Sequence, residues 1–539
     1  MGLRRTKPPM RRLGVRPLLA LAALLAVGLA PLTARPATGP TDVAGVPAAQ
    51  VGQHGPLSDF TSGPLELVGH ADMTPAGATV PLGNHGAVAL IDDCAYVGRW
   101  HDYAGVNAIQ IVDVSNPTSP AVVGGVPGSN LEGAVLEGAV AREIRAIDLP
   151  SGFEMLTVLT FSKFTDQGIL EPGLNALHFY TFPSGDCTQP VLAGTFQLRN
   201  FRPHEFFQWI DPDPAHNVDG HPRILEYITT PLGGTDVLVV DASKPSAAKI
   251  TGLWVSGIPL LSLRERNLDP ALPIGLGAYT HSISLSADGR RAYISHWDGG
   301  FFTMDTSDFA ARKLLAFFKP VGLASLPIPY PLSQFGNTHS AVVAAGSPTA
   351  VVGDEIYVTT DGCPFGWLRT FDTGSATKRP KQVGEFRLAE NQATNCAAEG
   401  LSASRNAAGL PLDGTFTMHN QTVAGSFVVT SWYGGGLRVI DVSNRVEPTE
   451  VAAFVPEPLA EISSIPDTPA PPYGKTESVD DDWWVSTWSY PIIRDGLIYV
   501  ADVRNGLYIL RATPGSPLGA AIDGIAFLEG NSNLGNFLD

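Results

Sequence analysis

Short runs of alternating apolar and polar residues recur along most of the chain, and turns rich in glycine, aspartate and proline separate them. The stretch 281–309 shows the pattern most clearly, with three such runs joined by an Asp288-Gly289 turn and a Gly299-Gly300 turn. Alternation with a period of two, interrupted by Asp-Gly or Gly-Gly corners, is typical of antiparallel hairpins. The pattern therefore predicts three consecutive antiparallel strands in this stretch.

Seven copies of this unit can be aligned by their opening residue, which is a histidine in five of them. The opening residues are His85, Ala141, His204, His281, His339, His419 and Trp488. The first six copies continue into a fourth alternating run, so the complete unit has four strands. Tandem units of this kind predict an all-β fold, a seven-bladed β-propeller of four-stranded antiparallel blades, because each blade buries its faces against its neighbours.

The two ends of the repeat array are incomplete. The seventh copy has no clear fourth run, and a short run at 65–69 precedes the first copy. Pairing the two closes the ring with an N-terminal strand and removes an exposed sheet edge, with the C-terminal tail 514–539 as the alternative occupant. The propeller is thus predicted to span 63–513. Within it, the second strand of the fifth copy is assigned to 355–361 and the fourth strand of the fourth copy to 313–318.

The N-terminal residues differ from the rest, since six basic residues precede an apolar run at 18–30. This arrangement predicts a secretory signal peptide at 1–34, with a retained membrane anchor as the alternative. Residues 35–62, rich in proline, alanine and glycine, are predicted to be a flexible leader. We therefore expect a secreted or cell-surface protein with no transmembrane span after signal removal.

Composition fits a large β protein and argues against one class of partner. The 539 residues include 57 glycines and 45 prolines, only 16% are charged, and the formal net charge is −17. This much glycine and proline suits a chain with many turns. We expect no nucleic-acid partner, because phosphate contacts need basic patches and the body of the chain has none.

Four cysteines in an exported chain predict two disulfides, and buried free thiols are the alternative. In a four-stranded blade the first and third turns share one face, while the second turn and the crossing to the next blade share the other. Cys94 and Cys187 fall at a first and a third turn of adjacent blades, and Cys363 and Cys396 fall at a second turn and a crossing. The predicted pairs are therefore Cys94–Cys187 and Cys363–Cys396.

The third run of several copies is a recurring sequence, IQIVDVSNP at 109–117 and LRVIDVSN at 437–444. These runs resemble the LVIVD repeats of exported bacterial β-propeller proteins, and weaker copies at 237–241 and 368–372 extend the likeness. The copy that opens at His281 also resembles the repeats of lactonase-type and surface-layer propellers. The resemblance implies secretion and a propeller, and it says little about activity.

The opening residues follow the crossings between blades, so we expect them on one face, where the innermost strands enter the central channel. The five histidines would then surround one end of the axis: His85, His204, His281, His339 and His419. Such a ring is typical of a site for copper, iron or zinc, because imidazole is a common ligand of these ions. Methanethiol oxidase propellers, which are selenium-binding-protein-like, are similar in architecture. The alternative is a scaffold role, as in WD-repeat propellers, whose blade-opening histidines bond to their own turns.

Two functional hypotheses follow. The first is a cell-surface or extracellular binding protein, whose axial face and loops such as 256–278 and 389–416 contact a protein, a glycan or a small-molecule ligand. The second is a metal-dependent oxidoreductase, with the histidines as ligands and Glu143 or Asp298 as candidate catalytic residues that handle protons. A structural calcium ion in the oxygen-rich loop from Asp211 to Asp219 is a further prediction, and a plain surface loop is its alternative.

Overall fold

Seven blades of antiparallel strands form a β-propeller, as the repeat pattern predicts. The computed structural model describes residues 60–99, 109–126, 139–162, 175–198, 201–230, 236–254, 280–297, 300–307, 319–321, 338–344, 346–355, 366–374, 380–388, 416–459, 462 and 485–535. All of them belong to one compact unit of the chain, Asp42–Asp539. Within this part of the chain no helix is long and apolar enough to cross a membrane.

Two N-terminal strands, β1 (Phe60–Ser62) and β2 (Leu65–Ala71), precede the first blade. Blades 1 to 5 follow, each with four consecutive strands ordered outward from the channel. Blade 1 contains β3 (His85–Ile91), β4 (Cys94–Arg99), β5 (Ile109–Asp113) and β6 (Ala121–Val126). Blade 2 contains β7 (Ala139–Asp148), β8 (Glu154–Ser162), β9 (Ala176–Thr181) and β10 (Val191–Gln197). Blade 3 contains β11 (Phe206–Ile210), β12 (Ile224–Thr229), β13 (Val237–Asp241) and β14 (Lys249–Trp254).

The next two blades keep the same order. Blade 4 contains β15 (Thr280–Leu285), β16 (Arg291–His296), β17 (Gly300–Asp305) and β18 (Lys319–Val321). Blade 5 contains β19 (Thr338–Val343), β20 (Thr349–Asp354), β21 (Leu368–Asp372) and β22 (Lys381–Phe386).

The last two blades recruit the N-terminal strands. Blade 6 contains β23 (Gln421–Ala424), β24 (Phe427–Ser431), β25 (Leu437–Asp441) and β26 (Thr449–Val455), and β1 adds a fifth strand beside β26. Blade 7 contains β27 (Ile492–Arg494), β28 (Leu497–Asp502) and β29 (Gly506–Ala512), and β2 supplies its fourth strand beside β29. The predicted closure of the ring by an N-terminal strand is thereby confirmed.

Strand β25 shows how an alternating sequence holds neighbouring blades together. Val439 belongs to a core cluster that includes Val500 and Leu510 of blade 7. The next residue, Ile440, belongs to a cluster that includes Leu368 of blade 5. Because successive side chains point to opposite faces, one strand packs against both neighbours, and each fully buried aliphatic side chain stabilises the fold by about 1.5–3 kcal/mol.

Cys94 and Cys187 form the predicted disulfide, which joins the first turn of blade 1 to the third turn of blade 2. Their Cα atoms lie 5.9 Å apart, and 93 positions separate them in sequence. The second predicted pair, Cys363–Cys396, lies outside the described residues. The disulfide adds a covalent link to the hydrophobic contacts between blades 1 and 2.

After β29 the chain forms a short helix, α1 (Pro517–Ile522), and then returns to the channel. Residues 528–535, which we call the channel segment, run beside the innermost strands of several blades. Leu528 pairs with Ile493 of blade 7, and Ser532 pairs with Gln208 of blade 3. Gly530 passes so close to blade 6 that an added Cβ would lie 2.0 Å from the carbonyl oxygen of Gln421. Residues 528–535 of the tail therefore lie in the channel, and the fourth strand of blade 7 is β2.

The structure differs from the predicted segments in three places. The last three residues of the predicted leader, 35–62, form β1. The second strand of blade 5 is β20 at Thr349–Asp354, so the assignment to 355–361 was wrong. A strand buried on both faces shows little alternation, and the following residues have higher β-propensity, which explains the shift. The fourth strand of blade 4 is β18, and 313–318 lies outside the described residues.

Candidate metal centre on the propeller axis

Four of the five predicted histidines lie side by side at the start of consecutive blades. His204, His281, His339 and His419 open blades 3 to 6, and we call them the histidine arc. Their ring centroids are 4.2, 3.9 and 4.1 Å apart in that order. Trp488 of blade 7 continues the row, 4.7 Å from His419. The repeat thus brings four imidazoles into contact, three of them at least 95% buried.

Hydrogen bonds between neighbouring blades set the spacing of the arc. In two blades the residue after the opening histidine reaches the next blade: the Ser282 hydroxyl donates to the carbonyl oxygen of His339, and the Ser340 hydroxyl donates to that of His419. Both hydroxyls are buried. A small polar residue in the second position of the unit therefore holds the following histidine in place.

Carbonyl oxygens of the following blade also define the position of the Nδ1 proton in two imidazoles. Nδ1 of His339 lies 3.1 Å from the carbonyl oxygen of His419, and Nδ1 of His419 lies 2.6 Å from that of Trp488. A carbonyl oxygen can only accept, so Nδ1 carries the proton in both rings. In the neutral form of each ring Nε2 then carries the lone pair, and this is the form that ligates a metal.

Glu355, directly after β20, lies among the Nε2 atoms of the arc. Its Oε2 is 3.4 Å from Nε2 of His339 and 3.9 Å from Nε2 of His281, and its Oε1 is 3.7 Å from Nε2 of His419. The Tyr433 hydroxyl donates a hydrogen bond to Oε1. One ligand atom each from His281, His339 and Glu355 lie within 4.8 Å of one another. This buried grouping has the composition and the spacing of a metal site.

His204 and His281 are joined more tightly than the other pairs. Their Nε2 atoms are 2.6 Å apart, which is a hydrogen bond with one proton between two nitrogens. Trp297 stacks on the ring of His281, with centroids 5.0 Å apart. Nε2 of His281 is therefore hydrogen-bonded to His204.

Glu205, the residue after His204, lies on the opposite side of His281 from Glu355. Its Oε2 is 3.6 Å from Nδ1 of His281. Its Oε1 accepts from the Tyr490 hydroxyl at 2.7 Å and from Nδ2 of Asn531, in the channel segment, at 2.8 Å. Burial and then the charge of Glu143 raise the pKa of Glu205 to about 8. Glu205 thus connects the C-terminal tail, through Asn531, to His281 of the histidine arc.

Further along the channel, Arg145 is the centre of an ionic network. Its guanidinium lies 3.2 Å from Glu143 and 3.5 Å from Glu529 of the channel segment. The same group lies over the rings of Phe206 and Tyr490. Burial raises the pKa of Glu529 to about 7, although the Arg145 charge opposes this shift. The network therefore ties the channel segment to blade 2.

Not every predicted site residue belongs to the arc. His85 opens blade 1, and its Nε2 is bonded to the carbonyl oxygen of Leu82 at 2.6 Å. Burial, followed by the charge of Arg99, lowers its pKa to about 3. His85 therefore lies apart from the histidine arc, since Trp488 of blade 7 comes between it and His419, and its predicted role as a metal ligand stays a prediction. Glu143 is engaged by Arg145, and Asp298 lies outside the described residues.

The predicted calcium loop is not arranged around a cation site. Its first carboxylate, Asp211, is 2.9 Å from the guanidinium of Arg223 and 2.8 Å from the imidazole of His216. Its last, Asp219, is 2.9 Å from the ammonium of Lys244. These side chains already neutralise the oxygens that calcium would need, so the surface-loop alternative fits better.

Sequence reasoning missed Glu355, Glu205 and Asn531. Glu355 had been placed inside a strand, and Asn531 lies in a tail with no repeat pattern. Glu205 alone offered a usable sign, because it follows an opening histidine, the position from which Ser282 and Ser340 reach the next blade.

A buried carboxyl group beside the channel leads to a prediction on pH. Glu226 accepts from Gln208 at 3.0 Å, and burial raises its pKa from 4.5 to about 7. Stability that depends on its proton is full below pH 4.5 and is lost as the pH rises through about 7. We expect the difference in unfolding free energy between Glu226→Gln and wild type to shift in favour of the variant by on the order of 3 kcal/mol from pH 5 to pH 8.

Urea unfolding at the two pH values measures this gain. Glu66→Gln is the control, because the Glu66 carboxylate is 53% exposed beside Arg511. This substitution should leave the pH dependence of the unfolding free energy as it is in wild type. Equal pH dependence in Glu226→Gln and wild type would contradict the prediction.

Comparison with known proteins identifies a repeat family in two parts of the chain. A profile of the LVIVD repeat matches residues 83–127 and 422–455, which contain blade 1 and most of blade 6. No curated protein matches the chain in sequence. The crystal structure of Sqt1 from Chaetomium thermophilum is 13% identical, covering 83% of this chain and 86% of that chain, with a TM-score of 0.40. The β-propeller domain of Cps50 (Swd1) from Myceliophteria thermophila is 11% identical, covering 81% and 99%, with a TM-score of 0.40. The chain therefore carries LVIVD repeats, which describe a strand pattern and name no ligand.

Proposed function

We propose that this LVIVD-repeat propeller binds one transition-metal ion on its axis, with His281, His339 and Glu355 as ligands. The buried grouping of their ligand atoms within 4.8 Å of one another supports the proposal. Imidazole and carboxylate ligands suit zinc, copper and iron. Three protein ligands leave one coordination position for a substrate, which is the arrangement of catalytic metal sites.

The distances suit a single ion. Ligand atoms bonded to one tetrahedral ion at about 2.0–2.2 Å lie about 3.3–3.6 Å from one another. Oε2 of Glu355 is 3.4 Å from Nε2 of His339 and 3.9 Å from Nε2 of His281. Nε2 of His204, at 2.6 Å from that of His281, is too close to share the ion in its present position. Metal binding therefore replaces the hydrogen bond between His204 and His281.

The surroundings suit catalysis. The Tyr433 hydroxyl holds Glu355, and its ring stacks on His419 with centroids 5.0 Å apart. Trp297 stacks on His281, so aromatic rings flank the site and restrict water. A bound ion would supply Lewis-acid polarisation of a substrate, and copper or iron would make the protein an oxidoreductase.

We further propose that the protein acts outside the cytoplasm, secreted or at the cell surface. The Cys94–Cys187 disulfide supports this location, because such bonds persist in oxidising compartments. Binding of a protein or a glycan on the axial face remains a second proposal. Its loop 256–278, and all but the last residue of 389–416, lie outside the described residues.

Metal titration tests the proposed site. We expect the metal-depleted full chain to bind one equivalent of Zn²⁺ or Cu²⁺. Both His339→Ala and Glu355→Gln should weaken binding by at least about 100-fold, because each removes one of three ligands. Elemental analysis gives the stoichiometry, and competition with a chromogenic chelator gives the Kd.

The matched control is His85→Ala, which removes an opening histidine that lies outside the arc. This variant should bind metal as tightly as wild type. Failure of the wild-type chain to bind any of zinc, copper or iron would overturn the proposal. If His85→Ala and His339→Ala lost the same amount of metal affinity, the loss would be an unspecific effect of removing a histidine and would not support a site in the arc.

A further inference from the structure

His281 is an exception in the arc. In His339 and His419 the Nδ1 proton is taken by a carbonyl oxygen of the next blade. Nδ1 of His281 instead faces Oε2 of Glu205, 3.6 Å away on the preceding blade. A ligating imidazole needs an acceptor at its other nitrogen, which fixes the tautomer and orients the ring. For His281 the group that faces this nitrogen is the side chain of Glu205, so its position depends on what holds that side chain.

Two donors hold Glu205, and both bind the same oxygen. The Tyr490 hydroxyl and Nδ2 of Asn531 donate to Oε1, at 2.7 and 2.8 Å. With Oε1 occupied twice, Oε2 is the oxygen left to face His281. Both donor residues are buried, at 4% and 1% exposure, so water does not compete for the carboxylate.

The channel segment in turn is fixed independently of Glu205. The backbone N–H of Gly530 donates to the Thr422 hydroxyl at 2.9 Å, and the N–H of Gln208 donates to the carbonyl oxygen of Asn531 at 3.2 Å. Asn533 bonds both backbone groups of Ile210, at 2.7 and 2.8 Å. Asn531 is therefore held on both sides by contacts with blades 3 and 6.

We propose that Asn531, carried into the channel by the C-terminal tail, is a positioning residue of the metal site. Asn531 orients Glu205, so that Oε2 of the ionised carboxylate faces Nδ1 of His281 at 3.6 Å and favours the proton on that nitrogen. The lone pair of His281 then lies on Nε2, which faces Glu355. The channel segment is thus part of the binding site. This inference rests on the proposed metal site and adds a residue to it.

Zn²⁺ titration of the full chain tests the inference, with Asn531→Ala as the variant and Ser532→Ala as the matched control. Both truncate a buried polar side chain of the channel segment, and the Ser532 hydroxyl accepts from the N–H of Leu534 in the same segment. We expect Asn531→Ala to raise the Kd for Zn²⁺ about 10-fold, the usual size of such second-layer effects, and Ser532→Ala to leave it unchanged. The visible spectrum of the Co²⁺-loaded protein, which reports coordination geometry, should change only in Asn531→Ala.

A further variant keeps the test decisive if Asn531→Ala does not fold. Tyr490→Phe removes the other donor to Oε1 and preserves the ring, and it should also weaken Zn²⁺ binding. Wild-type affinity in both Asn531→Ala and Tyr490→Phe would overturn the inference while leaving the metal site intact. Equal weakening of Zn²⁺ binding by Asn531→Ala and Ser532→Ala would show that Asn531 is only a structural contact. Absence of Zn²⁺ binding in wild type would instead reject the metal site itself.

Discussion

Replacement of Arg145 by methionine should destabilise the propeller by about 3–5 kcal/mol, the usual cost of leaving buried carboxylates without their cation. The guanidinium is fully buried, between Glu143 at 3.2 Å and Glu529 at 3.5 Å. Methionine nearly preserves the volume, so the loss reports charge and hydrogen bonding more than packing. Urea unfolding at pH 8 measures it.

The pH dependence of this loss separates charge from packing. Because burial raises the pKa of Glu529 to about 7, its carboxyl group takes up a proton as the pH falls through that value. At pH 5 it is neutral and needs no cation. The destabilisation should therefore shrink between pH 8 and pH 5. Arg494→Met is the control, since Arg494 is 22% exposed and a surface ion pair contributes only about 0–1 kcal/mol. A loss of equal size at both pH values would assign the effect to packing.

Loss of the Cys94–Cys187 disulfide should cost about 4–5 kcal/mol at most, because it closes a loop of 93 positions and restricts the unfolded chain. The bond joins blades 1 and 2, and Tyr96 donates from beneath it to the carbonyl oxygen of Cys187. The Cys94→Ala and Cys187→Ala double variant should unfold at lower urea concentration, with a larger m-value because its unfolded chain is more open.

The remaining two cysteines are removed from both proteins in this comparison. With Cys363→Ser and Cys396→Ser in the background, thiol exchange cannot create a new pair. The background protein should show no reactive thiol after denaturation, because Cys94 and Cys187 are bonded. A double alanine variant as stable as this background would mean that contacts between the blades already hold the loop.

The sequence was most informative about features that repeat. Alternation and turn residues predict the strands, and the unpaired run at 65–69 predicts the closure, which β2 confirms by pairing with β29. The disulfide between Cys94 and Cys187 follows from the shared face of first and third turns. These conclusions depend on local patterns and on the rule that every blade has four strands. Strand β1 escaped prediction, since an extra fifth strand breaks that rule.

The site was less predictable because its chemistry depends on contacts between distant parts of the chain. Register alone placed His339 and His419 beside one another, but it could not show that Nε2 of His85 bonds to the carbonyl oxygen of Leu82. Glu355 directly follows β20, a strand that the sequence pattern placed too far along the chain. Asn531 reaches Glu205 across 326 positions, from a segment without any repeat. No periodic pattern contains such information.

The closure of the ring also constrains the order of events during biosynthesis. Strand β2 is among the first parts of the propeller to leave the ribosome, yet its partner β29 is among the last. A hydrogen bond from His70 of β2 to Asn505, the residue before β29, spans 435 positions. Until that partner is made, blade 7 does not exist and the channel segment has no channel to enter. Closure over so long a span is entropically costly and slow. Until the ring closes, the nascent chain exposes unpaired strand edges and needs protection. A truncated product would therefore be a substrate for chaperones and proteases and not a smaller working propeller.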